Sequence, residues 1–531
     1  MYKRLINAVS SIIQKPKSSS KTRRSREQKT YPKSSIQTRS ATSKQQSAIA
    51  EFRQQRATRK IQTLMKSRKI PEARARFLNT ICSDSGVCIA FGKQTNMIKK
   101  HFNGFIDFTY VSEIMRIGNR SDNGFVNEFT YKREGYKANA ILKSSMKADS
   151  DNLFYEYVVG QYINKLNLMY PCFLETYGLY QYKTNKTWEF FNGNRRIPSN
   201  IAKAYIELQP EKPTEKSFSN SCINSRNLCI LIQHIKQAKT LKSMLNNNDF
   251  NDHHLLYVLY QVYMPLAMNA NTFTHYDLHR ENVLLYEPVK GKYIQYHYHI
   301  DNRETITFKC CYIAKIIDYG RSYFVDNDSP NTMTKSSINV YNKICSMKLC
   351  DTRDSKCGYE YGYSTHAPEE SPGSFFFISS IKRNMSHDLR LLYEITMNNI
   401  HKIADRKLKF LLRSVQYGFV DDDHKFELRE QHYGTVENTE LGLEHNNINN
   451  VIDVHDALKE LIPHFQKLND EYFTQHEKLG DLHIYADGRP MEFIEAIEAT
   501  EATEATTSKK RLSSLESIDS VDSVDSVDST A

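Results

Sequence analysis

Three polar side chains with a fixed spacing are the residues of this sequence best suited to chemistry. Asp277 and Asn282 lie five positions apart, and Asp318 directly follows an apolar pair, Ile316 and Ile317. Phosphoryl transfer to a hydroxyl needs one carboxylate to orient the acceptor. It also needs an amide and a second carboxylate to hold Mg²⁺ against the nucleotide phosphates. The three residues therefore predict a phosphotransfer site.

Two strands upstream must supply the nucleotide-binding side of such a site. Residues 127–131 and 138–143 alternate along the chain as strands do. Gly118 and Gly124 lie in the turn before the first strand, and Lys143 ends the second. A glycine-bearing turn followed by a strand lysine is suited to covering and neutralising nucleotide phosphates.

A helix is predicted next, over residues 151–166, because its apolar residues recur with helical spacing. Glu156 lies within it, thirteen residues after Lys143. Asp151 is the only rival acid, but it stands at the helix start, where an N-cap role is expected.

Together these segments resemble the protein kinase superfamily. Residues 275–282 match H-x-D-L-x-x-x-N, residues 318–320 are Asp-Tyr-Gly in place of D-F-G, and residues 140–143 resemble V-A-I-K. The resemblance implies an α+β, two-lobe kinase-like fold with a small β-rich N-lobe and a mainly helical C-lobe. It also implies ATP and Mg²⁺ as cofactors, and adenine contacts from the backbone near residues 233–234.

The resemblance assigns a role to each polar residue. Asp277 is the catalytic carboxylate, while Asn282 and Asp318 are the metal ligands. Lys143 holds the α- and β-phosphates and is itself held by Glu156.

Four departures from the family pattern bear on activity. Gly118 and Gly124 match the phosphate-covering loop only loosely, since the middle glycine is missing. Tyr276 replaces an Arg that in many protein kinases meets a phosphorylated loop, so control by that phosphate is not expected. His279 replaces a Lys common in Ser/Thr kinases, which leaves the acceptor class open. The long segment 283–317 reads as a β-hairpin inserted beside the site.

The domain plan follows from shifts in composition. We expect a basic, largely disordered arm at 1–73 and a kinase-like N-lobe at 74–235, with a polar insertion at 183–227. A C-lobe at 236–490 and a low-complexity, disordered tail at 491–531 complete the chain.

The arm is the most strongly charged part of the chain. Residues 1–70 hold nineteen Lys or Arg and two acids, so the rest is slightly acidic although the whole chain carries +11. One interpretation is a tether that neutralises nucleic-acid phosphates, and residues 21–26 also fit a nuclear import signal. The alternatives are a solvated tail or a transit-like segment.

The composition indicates a globular protein without a membrane-spanning helix, and the cysteines leave two interpretations open. Apolar and charged fractions of 40% and 25% fit a globular core with polar appendages. The longest apolar run, 255–268, is too short to span a membrane and predicts a buried helix. Cys345, Cys350 and Cys357 form a cluster without a CxxC pair, for which loop thiols are the simpler interpretation and a zinc site the alternative.

One residue further along has two equally good interpretations. Asp388 begins an apolar helical segment, where it resembles the helix aspartate that anchors the catalytic loop in kinases. A plain N-cap explains it as well. Residues 367–369, Ala-Pro-Glu, weakly resemble the end of an activation segment.

Three functions remain open at this point. The leading one is an ATP/Mg²⁺-dependent serine/threonine protein kinase, with a protein substrate and no membrane span. The others are a catalytically inactive kinase-like scaffold and a small-molecule phosphotransferase. The Asn-, Lys- and Tyr-rich composition also resembles kinase-like proteins of large nucleocytoplasmic DNA viruses, which implies the host cytoplasm or the virion, with nuclear import as a further option.

Overall fold

The structure is a computed structural model, and it describes residues 91–118, 124–134, 136–146, 152–198, 200, 206–214, 216–217, 225–301, 304–344, 380–415, 417 and 448–496. The basic arm, Asp151, the three clustered cysteines, residues 367–369 and most of the tail lie outside the described residues.

Seven strands form the first sheet, and all neighbouring strands in it run antiparallel. In spatial order they are β5 (Arg196–Pro198), β1 (Val111–Ile117), β2 (Gly124–Arg133), β3 (Tyr136–Ser145), β7 (Leu228–Gln233), β4 (Thr176–Tyr182) and β6 (Leu208–Pro210). The two predicted strands lie within β2 and β3 and are confirmed. β3 is central, and its residues from Ala138 onward are buried.

Three helices accompany this sheet: α1 (Thr95–His101), α2 (Asn152–Leu166) and α3 (Asn185–Gly193). The helix predicted over 151–166 is confirmed as α2, which packs against β3, β4 and β7. This packing places its buried residues, including Glu156, against the centre of the sheet.

The expected polar insertion at 183–227 is a more ordered part of the fold than its composition indicated. Its helix α3 buries Trp188 and Phe191, and its strands β5 and β6 pair with β1 and β4 at opposite edges of the sheet. A few apolar side chains at the right positions are enough to dock such a segment. Because the segment is polar on average, its composition did not indicate these buried apolar residues.

Seven more helices follow in the described part of the chain: α4 (Leu241–Met244), α5 (Asn248–His253), α6 (Leu255–Met268), α7 (Ser337–Ile344), α8 (Arg390–Asn399), α9 (Arg406–Arg413) and α10 (Val451–Asn469). The predicted buried helix is confirmed as α6, in which every residue except Met268 is buried. It packs against α10. Within the described ranges no helix is long and apolar enough to cross a membrane.

A second sheet has the order β12 (Thr305–Cys310), β11 (Lys292–His299), β15 (Glu477–Tyr485) and β16 (Glu492–Glu495). The predicted hairpin is confirmed by the antiparallel β11–β12 pair. β15 joins β11 in parallel, although about 180 positions separate paired residues such as His297 and His483. The predicted start of the disordered tail at 491 is too early, because β16 covers Glu492–Glu495.

Three two-residue strands and two four-residue strands complete the described part of the chain. β8 (Lys239–Thr240), β10 (Val283–Tyr286) and β13 (Ile313–Ile316) form one small sheet, and β9 (Phe273–Thr274) pairs with β14 (Tyr323–Phe324). These strand pairs bring three segments together, namely the one after β9, the one before β10 and the one after β13. The fold is thus a mixture of helices and mainly antiparallel sheet, and the division into two lobes at residue 235 stays a prediction.

Candidate active site

Lys143 is the point at which three distant segments meet. Its Nζ lies 2.5 Å from Oε2 of Glu156 on α2 and 3.0 Å from Oδ1 of Asp318, just after β13. The side chains of Lys143 and Glu156 are only 6% and 2% exposed, whereas that of Asp318 is 25% exposed. The lysine is therefore buried against one carboxylate and reaches a second that faces a solvent-accessible space.

The charges of this trio depend on one another. Burial opposes a charge on Lys143, but Asp318 and Glu156 outweigh it and raise the pKa of the lysine above its ordinary value. Burial likewise opposes ionisation of Asp318, yet Lys143 holds the pKa of that carboxyl down at about 2. Burial raises the pKa of Glu156 to about 7, since Lys143 offsets only part of its desolvation. A cation beside an ionised Asp318 is thus maintained at neutral pH.

Helix α2 is fixed by contacts on both sides of Glu156. The Tyr155 hydroxyl donates to the backbone oxygen of Ser322 at 2.5 Å and contacts Oγ of Ser337 at 2.8 Å. Further along the helix, Nζ of Lys165 lies 2.7 Å from Oδ1 of Asp326. The segment after Asp318 therefore holds the helix in the position that lets Glu156 reach Lys143.

His275 joins the loop before β10 to the strand before Asp318. Its Nδ1 accepts a hydrogen bond from the backbone N–H of Asp277 at 3.2 Å, so Nε2 carries the proton and donates to the Ile317 carbonyl at 3.1 Å. Burial lowers the pKa of His275 to about 4. A neutral, fully buried imidazole with both nitrogens engaged is a structural residue.

Asp388 anchors the same loop. Its carboxylate accepts from the backbone N–H groups of His275 at 2.8 Å and Tyr276 at 3.0 Å. The anchoring role predicted for Asp388 is confirmed, since its side chain binds this distant loop and caps no helix in the described residues. Burial raises its pKa to about 7, against the two amide donors, which favour the charged form.

Tyr276 occupies an unusual backbone conformation beneath the site. Its φ is +62°, and Asp318 has φ +71°, both in the left-handed region that costs a residue other than glycine roughly 1–3 kcal/mol. The Tyr276 hydroxyl donates to the Lys382 carbonyl at 2.7 Å, which helps to hold this conformation. Such backbone geometry is concentrated at functional sites.

Asn282 links the two acidic residues of the site. Its Nδ2 donates to the backbone oxygen of Asp277 at 2.8 Å and contacts Oδ2 of the same residue at 3.3 Å. Its own carbonyl accepts from the backbone N–H of Ile317 at 3.0 Å, next to Asp318. The side chain of Asp277 is 26% exposed, as open as that of Asp318.

The donor set fits a hard cation bound together with phosphate. Because Asn282 donates through Nδ2, its side-chain oxygen is directed elsewhere, and Asp318 uses only Oδ1 toward Lys143. Mg²⁺ takes oxygen ligands from one or two side chains and fills its shell with phosphate oxygens and water. Among the described residues, no three or more His, Cys, Asp or Glu side chains are grouped so that they could hold a metal ion by themselves.

The two glycines flank the entrance to β2. Gly118 follows β1 with φ +70°, which glycine adopts without strain, and Gly124 is the first residue of β2. Residues 119–123 between them lie outside the described residues. The expected adenine contacts near 233–234 stay a prediction; the backbone N–H groups of these two residues are bonded to the carbonyls of Glu175 and Asn139.

Comparison with known proteins gives a distant similarity to a solved structure. The chain is similar to a solved crystal structure described as a kinase domain, with 14% identity and a TM-score of 0.23. The match covers 41% of this chain, which spans about half of that domain, 52% of its length. No protein-family model and no curated protein matches the chain.

Sequence reasoning missed one residue of the site. Arg390 donates from Nη1 to Oδ1 of Asp277 at 2.9 Å, from a position 113 residues further along. The available signal was a lone charge inside an apolar stretch, Leu389-Arg390-Leu391-Leu392. A buried charge of this kind needs a partner, and here the partner is the carboxylate to which the sequence assigned catalysis.

Proposed function

We propose that this chain is an ATP- and Mg²⁺-dependent phosphotransferase that phosphorylates serine or threonine hydroxyls of proteins. The observation that carries the proposal is the position of Lys143, bonded to both Glu156 and Asp318. The strand before Asp318 is bonded in turn to Asn282, which contacts Asp277. Five residues from four separate segments are thus connected, and two of them, Asp277 and Asp318, are partly exposed.

The residues divide into two roles. Lys143 would neutralise the α- and β-phosphates of ATP, with Glu156 and the β3 backbone keeping its ammonium in place. Asn282 and Asp318 would hold Mg²⁺, which supplies neutralisation of the phosphate charge when bound.

Asp277 would act on the acceptor. One of its oxygens accepts the hydrogen bond of the substrate hydroxyl and so directs the oxygen lone pair at the γ-phosphorus. A new O–P bond forms, the bond to the β–γ bridging oxygen breaks, and ADP leaves with the electron pair. The hydroxyl proton passes to the Asp277 carboxylate.

Transfer of ³²P from [γ-³²P]ATP by the full chain tests this proposal. Casein, histone and the chain itself serve as protein acceptors, and small hydroxyl compounds are screened in parallel. Asp277→Asn should lower kcat by at least about 100-fold, while Lys137→Met, on the exposed part of β3, should leave it unchanged. Equal labelling by wild type and Asp277→Asn would refute the assignment, and transfer only to small acceptors would refute the protein substrate.

An inactive scaffold is the second candidate. It is favoured by the loose match of Gly118 and Gly124 to the phosphate-covering loop. The scaffold would bind Mg²⁺·ATP, or no nucleotide, and show no transfer to any acceptor. Nucleotide binding measured by calorimetry, beside the transfer assay, separates these two outcomes.

We further propose that the arm at 1–73 binds nucleic acid or another anionic partner, which would place the enzyme in the host cytoplasm or in a virus particle. Its excess of Lys and Arg is the supporting feature. Deletion of residues 1–70 should abolish salt-sensitive binding to DNA or RNA while phosphoryl transfer stays intact. Binding that persists after the deletion would show that the arm is not the tether.

A further inference from the structure

The guanidinium of Arg390 is a buried cation in contact with the proposed catalytic carboxylate. Its side chain is 2% exposed, and it begins α8 two residues after the anchoring Asp388. Nη1 donates to Oδ1 of Asp277 at 2.9 Å, and Nε donates to Oε1 of Glu394 at 3.2 Å. Arg390 therefore approaches Asp277 from the protein interior.

The charge of Arg390 is secured by its two acidic neighbours. Burial by itself would disfavour the charged form, but Asp277 and Glu394 outweigh it and raise the pKa of the guanidinium above its ordinary value. Glu394 also contacts Nε of Arg280 at 3.4 Å, and Arg280 donates to Asn399 at 2.5 Å. The guanidinium thus has a defined orientation imposed by more than one contact.

His279 does not supply this contact. Its Nδ1 accepts from the backbone N–H of Glu281 at 3.1 Å, and its Nε2 lies 3.7 Å from Oδ1 of Asp277, beyond hydrogen-bond distance. The hydrogen bond to Oδ1 of Asp277 therefore comes from Arg390, on a helix more than a hundred residues away, while His279 stays at ion-pair distance from the same oxygen.

We propose that Arg390 is a positioning residue for phosphoryl transfer, which holds Oδ1 of Asp277 so that Oδ2 faces the acceptor hydroxyl. This inference rests on the proposed function. One N–H of the guanidinium binds Asp277 while Nε binds Glu394, so the donor that holds Oδ1 is itself fixed in place. Among the described residues, Oδ2 contacts Asn282 alone, at the long distance of 3.3 Å, and is the oxygen that would accept from a substrate.

The test is a double-mutant cycle in the full chain. Arg390→Met should lower kcat by at least about 30-fold, while the KM for ATP changes less than about threefold, because the phosphate-binding residues are untouched. Arg390→Lys should recover at least a third of the wild-type kcat. Arg413→Met makes the same change at an exposed arginine in the last turn of α9 and should change kcat less than about threefold.

The Asp277→Asn background separates positioning from general packing. If Arg390 acts through Asp277, Arg390→Met should cause less than about a threefold further loss in that background, measured in single turnovers. An equal loss in both backgrounds, or wild-type kcat in Arg390→Met, would overturn the inference. Should Arg390→Met not fold, failure of Arg390→Lys to recover activity would overturn it as well. Absence of transfer by the wild type would instead refute the proposed function, and this inference with it.

Discussion

The ammonium of Lys143 lies 3.0 Å from Oδ1 of Asp318, a residue 175 positions further along the chain. The contact joins the centre of the first sheet to the segment after β13. It leaves Lys143 between a buried glutamate and a partly open aspartate. The ion pair thus ties the proposed phosphate-binding side of the site to the proposed metal-binding side.

Removing the lysine should damage both stability and nucleotide binding. Lys143→Met leaves Glu156 as an unpaired buried acid, which costs about 3–5 kcal/mol of the free energy of unfolding. ATP affinity should fall at least about tenfold, equivalent to about 1.4 kcal/mol. Urea unfolding and calorimetric titration measure the two effects, with Lys137→Met on the same strand as the control. ATP binding at wild-type strength in Lys143→Met would exclude the assigned role.

The anchor beneath the catalytic loop gives a second prediction. Asp388→Asn replaces one of the two accepting oxygens by an N–H₂ group, which faces the backbone amide of either His275 or Tyr276. Loss of one buried hydrogen bond should cost about 1–3 kcal/mol of stability. Phosphoryl transfer should fall with it, because the loop carries Asp277.

A matched control for this anchor is available on another helix. Asp470→Asn makes the same change at an exposed side chain at the C-terminal end of α10. Its unfolding free energy and activity should stay close to wild type. Wild-type activity in Asp388→Asn would show that the loop is held without the anchor.

Acid pH should remove the stabilising contribution of His254. This side chain contacts Cys310 and Tyr472, and burial lowers its pKa to about 3. The folded pKa lies below the unfolded value near 6.5, so the contribution is complete above pH 6.5 and is lost as pH falls toward 3. Between these values the change is about 1.4 kcal/mol per pH unit.

Other groups oppose this trend, so the measurement compares two proteins. The raised pKa values of Glu156 and Asp388, both about 7, favour the folded state as pH falls from 7 toward 4. These contributions cancel when wild type and His254→Gln are unfolded in urea at the same pH. The stability advantage of wild type over His254→Gln should shrink with falling pH, and a constant difference would contradict the burial of a neutral imidazole.

Trp188 reports on the segment that was expected to be a polar insertion. Its ring packs edge-on to Phe125, its Nε1 donates to the Ser145 carbonyl at 3.1 Å, and Arg226 lies over its face. Trp188→Ala should therefore lower the free energy of unfolding by about 3–5 kcal/mol. Met397→Ala, at a side chain 65% exposed, should change it by less than about 0.5 kcal/mol. Circular dichroism during urea unfolding measures both, and equal effects would contradict the docking of α3.

The sequence predicted the parts of the site that are defined locally. Lys143 follows an alternating strand, Glu156 lies on a periodic helix, and Asp277 and Asn282 share one short motif. These signals depend on spacing within a few residues. The sequence predicted that these segments contact one another only through the resemblance to the protein kinase superfamily.

Long-range pairing was the part that could not be predicted. Alternation shows that a segment is a strand without showing its neighbour, so the parallel pairing of β15 with β11 was missed. Arg390 was missed for the same reason, since its partner Asp277 lies 113 positions away. The pairing of the edge strands β5 and β6 was also not predicted. These strands lie in a segment that is polar on average and that docks through a few buried residues.

The central claim is that five side chains converge on one bound nucleotide, and a structure of the chain with Mg²⁺ and a non-hydrolysable ATP analogue tests it most directly. We predict Nζ of Lys143 within hydrogen-bond distance of an α- or β-phosphate oxygen. We also predict Mg²⁺ bound by Asn282 and Asp318, and Asp277 beside the γ-phosphate. A nucleotide bound elsewhere, or a bound nucleotide that Lys143 does not reach, would contradict the account.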